Sequence, residues 1–142
     1  MFSREESKQI REQFWIFFGK RHPRKWLLYD TKIKEINLKF SFDTIKAIVS
    51  FDIETHDDIF RTYYYEKFES LKNLLKAEIS EEIILDQEYL RSSGKIISRI
   101  YVEKNGVNIH NKTHWPEVFE FFYTEMPKFE LFWYEYQEFI TA

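Results

Sequence analysis

The clearest pattern of hydrophobic and polar positions runs from Glu35 to Glu54, where apolar and polar residues alternate on both sides of Asp43-Thr44. Alternation with a period of two is typical of β-strands that bury one face, because successive side chains of a strand point to opposite faces of the sheet. The phase is kept through the turn, so the segment predicts a β-hairpin with one apolar and one polar face. In the predicted register, Glu35 lies opposite Asp52 on the polar face.

Helical periodicity of three to four residues appears in three other segments, which are 3–18, 55–79 and the chain from Pro116 onward. Ser3 and Glu6 have the spacing of a capping box, which places the start of the first helix. Pro127 lies inside the last segment and predicts a break or kink there, because proline lacks the backbone N–H that a helix interior uses.

A second hairpin is predicted over residues 83–102, with Arg91-Ser92-Ser93-Gly94 as its turn and Asp86 opposite Arg99. A short strand from Trp26 to Tyr29 precedes the first hairpin. The resulting order is α-β-β-β-α-β-β-α, with three helices. Because hairpins join antiparallel strands, we expect one α+β domain over residues 1–142 with a mostly antiparallel sheet.

Composition narrows the class of protein. Aromatic residues make up 20% of the 142 residues, and there are only 3 Gly and 3 Pro. Many large rings and few flexible or helix-breaking residues favour an ordered domain over a disordered chain. The chain has no Cys, which excludes disulfides and thiolate chemistry and is compatible with a reducing compartment. No apolar run is long enough for a signal peptide or a membrane span. We therefore expect a soluble, cytoplasmic protein.

Three carboxylates gather at the open end of the first hairpin in the predicted register: Glu35, Asp52 and Glu54. Carboxylates on adjacent strands are the ligands that Mg²⁺ or Mn²⁺ takes in metal-dependent phosphodiesterases. The order helix, three strands, helix, strand also resembles the core of restriction-endonuclease-like nucleases. In those enzymes an Asp-x-Lys or Glu-x-Lys motif supplies a lysine, and here Glu54 occupies that position. A degenerate metal site is one hypothesis, and a solvated hairpin face is the other.

The net charge of -3 conceals a basic N-terminal part, since residues 1–50 contain 11 Lys and Arg against 6 Asp and Glu. Phosphate contacts require Lys and Arg clustered on one surface. The candidate nucleic-acid contacts, to DNA or RNA, are Lys20, Arg21, Arg24, Lys25, Lys39 and Lys46. The alternative is that these cations belong to an ordinary charged loop and its neighbouring strands.

The C-terminal helical segment alternates aromatic rings with glutamates from Val118 to Phe139. So many rings cannot all remain in water, so part of the segment covers the core. The remainder is a candidate surface for a homodimer or for a partner protein.

Five short stretches resemble an uncharacterised bacterial family, domain of unknown function 4268. The stretches are Arg11-Glu12-Gln13-Phe14-Trp15, Trp26-Leu27-Leu28-Tyr29-Asp30, Val49-Ser50-Phe51-Asp52-Ile53-Glu54, Tyr65-Glu66-Lys67-Phe68 and Trp115-Pro116-Glu117. The resemblance implies a module found alone or behind nuclease-like domains in defence and mobile-element proteins, and hence a nucleic-acid setting. It carries no catalytic residue over to this chain.

The expectation from the sequence is therefore a non-catalytic, nucleic-acid-associated accessory module. A metal-dependent nuclease with a degenerate motif and a protein-interaction or homodimer module are the alternatives.

Overall fold

The computed structural model describes residues 2–142 and places them in four α-helices, a short 3₁₀-helix and four β-strands. In chain order these are α1 Arg4–Arg21, β1 Ile36–Phe42, β2 Lys46–Ile53, α2 Asp58–Ser70, α3 Lys72–Glu78, β3 Ile84–Leu90, β4 Ile96–Asn105, the 3₁₀-helix Lys112–His114 and α4 Trp115–Ile140. The strands form one antiparallel sheet in the order β1-β2-β4-β3. The predicted α+β class and both predicted hairpins are confirmed.

The first hairpin keeps the predicted faces but differs from the predicted register by two residues. Ile36 pairs with Ile53 rather than Phe51, and Phe42 pairs with Ala47. The turn moves because Asp43 Oδ1 accepts hydrogen bonds from the backbone N–H groups of Ile45, at 2.7 Å, and of Lys46, at 2.9 Å. A shift of two leaves every side chain on its predicted face and changes only which residues are opposite one another.

The second hairpin has the predicted register at its open end, where Leu85 pairs with Ile100 and Asp86 with Arg99. An irregularity after Asp86 then places Tyr89 opposite Ile97, one residue from the predicted partner. The turn closes at Gly94, whose φ of 89° is accessible to glycine at no steric cost.

The hydrophobic core lies on one face of the sheet. On β2, the ring of Phe51 is 5.0 Å from Phe68 of α2 and 5.0 Å from Phe129 of α4, measured between centroids. Phe14 of α1 lies 4.9 Å from Phe42, which is on the same face of the sheet. Helices α1, α2 and α4 therefore cover one face, and burial of each such ring contributes about 1.5–3 kcal/mol.

A break or a kink is predicted near Met126, and the break is wrong, because helix α4 continues through Pro127. A proline in a helix interior costs about 3 kcal/mol or more. Met126, Phe129 and Phe132 are almost completely buried on both sides of it. Together their burial contributes about 4.5–9 kcal/mol, which exceeds the cost of the proline, so these side chains keep the helix continuous.

Two further expectations are corrected. Trp26 to Tyr29 is not a strand, because Leu28 has a φ of 42°, outside the extended region. The helix predicted for residues 55–79 is divided at Leu71 into α2 and α3, which raises the helix count from three to four. With two strands instead of three before α2, the restriction-endonuclease-like core is not confirmed.

Within residues 2–142, no helix combines the length and apolarity needed to cross a membrane.

Candidate functional site

The face of the sheet opposite to the helices carries a buried ion pair at its centre. Arg99 of β4 lies opposite Asp52 of β2. Its Nε donates to Asp52 Oδ1 at 2.8 Å and its Nη2 donates to Oδ2 at 2.7 Å. Ser50 Oγ donates to Oδ1 at 2.7 Å. Asp52 has no exposed surface, so its negative charge is matched entirely by protein groups.

The ring of Tyr89 covers the guanidinium of Arg99, with 4.4 Å between the ring centroid and Cζ. Burial by itself would lower the pKa of Arg99, but the hydrogen bond and the charge of Asp52 outweigh burial and raise it. The guanidinium of Arg99 therefore keeps its positive charge beside Asp52. Asp52 could bind a metal ion only by giving up its arginine.

A second charged group, the Glu54 cluster, consists of Glu54, Lys39, Arg91 and Lys95. Lys39 Nζ lies 2.8 Å and Arg91 Nη1 2.9 Å from Glu54 Oε1, and Lys95 Nζ lies 3.7 Å from Oε2. Burial would raise the pKa of Glu54, but the hydrogen bond from Lys39 and the charges of the three cations outweigh burial and lower it. Three cations around one carboxylate leave a surplus of two positive charges.

Two of these cations line a concave region of about 400 Å³ between β1 and the turn of the second hairpin. We call it the sheet cleft. Its lining residues are Tyr29, Lys39, Phe40, Ser41, Phe42, Asp43, Ile48, Tyr89, Leu90, Arg91, Ser92 and Arg99. Tyr29 is 65% exposed and Lys39 Nζ lies 5.5 Å from the centroid of its ring. The cleft thus combines aromatic walls with fixed cations, a combination that suits a ligand with both flat and anionic parts.

The three carboxylates of the predicted metal site do not converge on a common point. Backbone pairing places Glu35 beside Glu54, with Glu54 N–H donating to Glu35 O at 2.8 Å, while Asp52 lies opposite Asn37. Asp52 and Glu54 are each bound by cations. In the part of the chain from Phe2 to Ala142, no three His, Asp or Glu side chains are grouped so that they could hold a metal ion. The metal site remains a prediction that this geometry does not favour.

The predicted basic contacts fall into two groups. Four of the six have carboxylate partners: Arg21 with Glu120 at 3.9 Å, Arg24 with Glu130 at 2.7 Å, Lys39 with Glu54 at 2.8 Å and Lys46 with Glu103 at 3.2 Å. Arg24 also covers the ring of Trp26 at 3.9 Å. The buried Glu130 accepts a second hydrogen bond, from Leu27 N–H at 2.8 Å, so Arg24 holds its loop against α4. Lys20 and Lys25 are exposed.

The aromatic rings of α4 divide between core and surface. Phe122, Phe129, Phe132 and Trp133 are buried, whereas Tyr123, Tyr134 and Phe139 are exposed. Most of the predicted aromatic surface is therefore used inside this chain.

Tyr29, Tyr89, Arg91 and Arg99 were not identified as site residues from the sequence. The predicted pairing of Arg99 with Asp86 is correct, but the arginine side chain binds Asp52 on the other neighbouring strand. The hairpin patterns are local, and the β2–β4 pairing joins residues 47 positions apart. The available signal was the pair of cations that flanks the second turn, Arg91 and Lys95.

The fold and the cleft define an α+β domain whose antiparallel sheet is covered by helices on one face and bears a cationic, aromatic-lined cleft on the other. The model of the family Domain of unknown function (DUF4268) matches residues 10–137, which include the whole sheet and α2, α3 and most of α1 and α4. This protein belongs to the DUF4268 family, and the resemblance found in the sequence is confirmed. Neither the curated proteins nor the solved structures contain a match to the chain.

Proposed function

We propose that this domain is a non-catalytic module that binds nucleic acid, with the phosphates held at the sheet cleft. The observation that carries the proposal is the Glu54 cluster. Its two surplus positive charges lie beside a concave surface, where a polyanion is attracted and its counterions are released.

The arrangement of the cations also supports the proposal. The side chains of Lys39 and Arg91 are 16% and 31% exposed and share Glu54 Oε1, so both are held in place before a ligand arrives. Such fixed cations lose less conformational entropy on binding than free surface lysines do. Glu54 acts in this proposal as a structural anchor for the cations.

The non-catalytic part of the proposal follows from the carboxylates. Asp52 and Glu54 accept hydrogen bonds from cations of the chain, and their displacement would leave buried charges unpaired. This favours binding over metal-dependent cleavage, the alternative drawn from the sequence. Lys20 and Lys25, which are exposed on the loop after α1, remain candidate peripheral contacts.

The test is fluorescence anisotropy of labelled DNA and RNA titrated with the protein across a salt series. We expect affinity to fall steeply with salt, and the double variant Arg91→Glu with Lys95→Glu to weaken binding at least about tenfold and to lower the salt slope by roughly 0.7–0.9 per lost phosphate contact. Lys72→Glu, at an exposed position of α3, is the control for charge reversal by itself. Absence of binding at low salt, or equal weakening by Lys72→Glu, would contradict the proposal.

A second candidate, self-association through α4, has its own supporting observation. Leu131 and Tyr134 are 69% and 58% exposed and lie one turn apart on the helix surface. Sedimentation velocity over a concentration series, with Leu131→Lys as the variant, tests a homodimer. A monomer at every concentration removes this candidate.

A further inference from the structure

We infer that the sheet cleft selects unpaired nucleotides, with a base stacked on the ring of Tyr29 and its phosphate at Lys39 and Arg91. The inference rests on the proposed function and adds the form of nucleic acid. Its starting point is the cleft itself, whose volume of about 400 Å³ lies within the usual range of small-ligand sites. A duplex carries its phosphates on a convex surface, whereas one unpaired base can enter a concave site.

Tyr29 is the residue that favours stacking. It lies in the segment between α1 and β1, its residue surface is 65% exposed, and it lines the cleft. By contrast, Tyr89 on the β3 side has Arg99 against its ring and Tyr101 at its edge, with 5.6 Å between the tyrosine centroids. Tyr89 is thus a fixed wall. Tyr29 has Lys39 Nζ over its ring at the longer distance of 5.5 Å and most of its surface exposed, so it is the ring of the cleft that a base can reach. Aromatic rings bind unpaired bases in this way without sequence preference.

The cation nearest to that ring also fits a nucleotide. Lys39 Nζ is 5.5 Å from the Tyr29 centroid and 2.8 Å from Glu54 Oε1, so it links the aromatic wall to the Glu54 cluster. A base on Tyr29 therefore brings its own phosphate close to Lys39. Arg91 contacts the same oxygen of Glu54, so a second cation lies beside Lys39 and can bind the same phosphate.

The edge of β1 supplies hydrogen-bonding groups at the same wall. Asp43 N–H donates to Lys46 O and Glu54 N–H donates to Glu35 O, which places the odd-numbered residues of β1 in hydrogen-bonded pairs with β2. The backbone N–H and C=O groups of Phe40 and Phe42 consequently point outward. Both residues line the cleft, so these groups can bond to the edge of a base.

The experiment compares a labelled single strand with a duplex of the same length by anisotropy, using the full chain and the variants Tyr29→Ala, Tyr29→Trp and Phe60→Ala. We expect the single strand to bind at least about tenfold more tightly than the duplex. Stacking of one base corresponds to about a 5- to 150-fold loss of affinity in Tyr29→Ala. Tyr29→Trp keeps an aromatic ring and should retain binding. Phe60→Ala removes an exposed aromatic ring of α2 that does not line the cleft, and it should have no effect.

The outcomes separate this inference from the proposed function. Equal affinity for single strand and duplex, or full binding by Tyr29→Ala, overturns the inference. If Arg91→Glu with Lys95→Glu still weakens binding in that case, the proposed function stands alone. If neither form of nucleic acid binds at low salt, both fail. Loss of binding by Tyr29→Ala counts in favour only if that variant has the urea unfolding midpoint of the unmodified protein, which excludes loss by misfolding.

Discussion

Substitution of Arg99 by methionine probes the buried ion pair that forms the floor of the sheet cleft. Methionine keeps most of the aliphatic stem beside Tyr89 and removes the guanidinium, so the stability that is lost is mainly electrostatic. Asp52, which has no exposed surface, would lose both of its hydrogen bonds from Arg99, at 2.8 and 2.7 Å, and keep only that from Ser50. An uncompensated buried charge of this kind costs about 3–5 kcal/mol.

That cost is a large part of the free energy of unfolding of a domain, which is about 5–15 kcal/mol. With a urea dependence of about 1–3 kcal/mol/M, the unfolding midpoint should fall by roughly 1–5 M and the slope should not change. The assay is urea unfolding at neutral pH followed by circular dichroism and tryptophan fluorescence. Coincident transitions by the two probes establish that the two-state analysis applies.

The double variant Asp52→Leu with Arg99→Met is the matched comparison. Replacement of both charges by apolar side chains removes the desolvation cost along with the attraction, so we expect it to recover most of the stability lost in Arg99→Met. A loss below about 1 kcal/mol in Arg99→Met would refute the reasoning, because the carboxylate would then be solvated or protonated at little cost. A double variant less stable than Arg99→Met would refute it as well.

Two further predictions concern the Glu54 cluster and the proline of α4. The folded state lowers the pKa of Glu54 below its ordinary value of 4.5, so the ion pairs of Glu54 stabilise the fold fully above pH 4.5 and lose this contribution as the pH falls through the lowered pKa. Glu54→Gln should therefore reduce the fall of the urea midpoint in acid. An unchanged dependence of the midpoint on pH would contradict this prediction. Pro127→Ala should restore a backbone N–H inside α4 and raise the free energy of unfolding by about 1–3 kcal/mol, measured by urea unfolding, and a destabilised variant would mean that the proline ring itself fills the packing.

Local sequence patterns specified much of the fold. The capping box of Ser3 and Glu6 is present at the start of α1, with both of its hydrogen bonds at 3.1 Å. Alternation specified which residues of the first hairpin face the core, and those of the second hairpin as far as Asp86, after which the irregularity moves Tyr89 to the opposite face. These features were predictable because each depends on residues that are close in the chain, whose backbone preferences and side-chain directions act together.

Local patterns failed where a distant contact or a single side chain decided the conformation. The register of the first hairpin depends on the turn that the side chain of Asp43 caps. The alternation fits the predicted pairing and a pairing shifted by two residues equally well, so it could not choose between them. The continuity of α4 through Pro127 depends on burial of rings against the sheet, which outweighs the local cost of proline.

The sequence by itself determined the two antiparallel hairpins, the helical segments around them, the buried face of the first hairpin and the membership of the family suggested by its motifs. Only the tertiary structure decided what the charges do. The antiparallel pairing of β2 with β4 places Asp52 opposite Arg99, and the turn of the second hairpin places Arg91 and Lys95 beside Glu54. An acidic cluster in the sequence thus becomes a cationic cleft, because charge at a site is the sum over residues that are neighbours in space and distant in the chain.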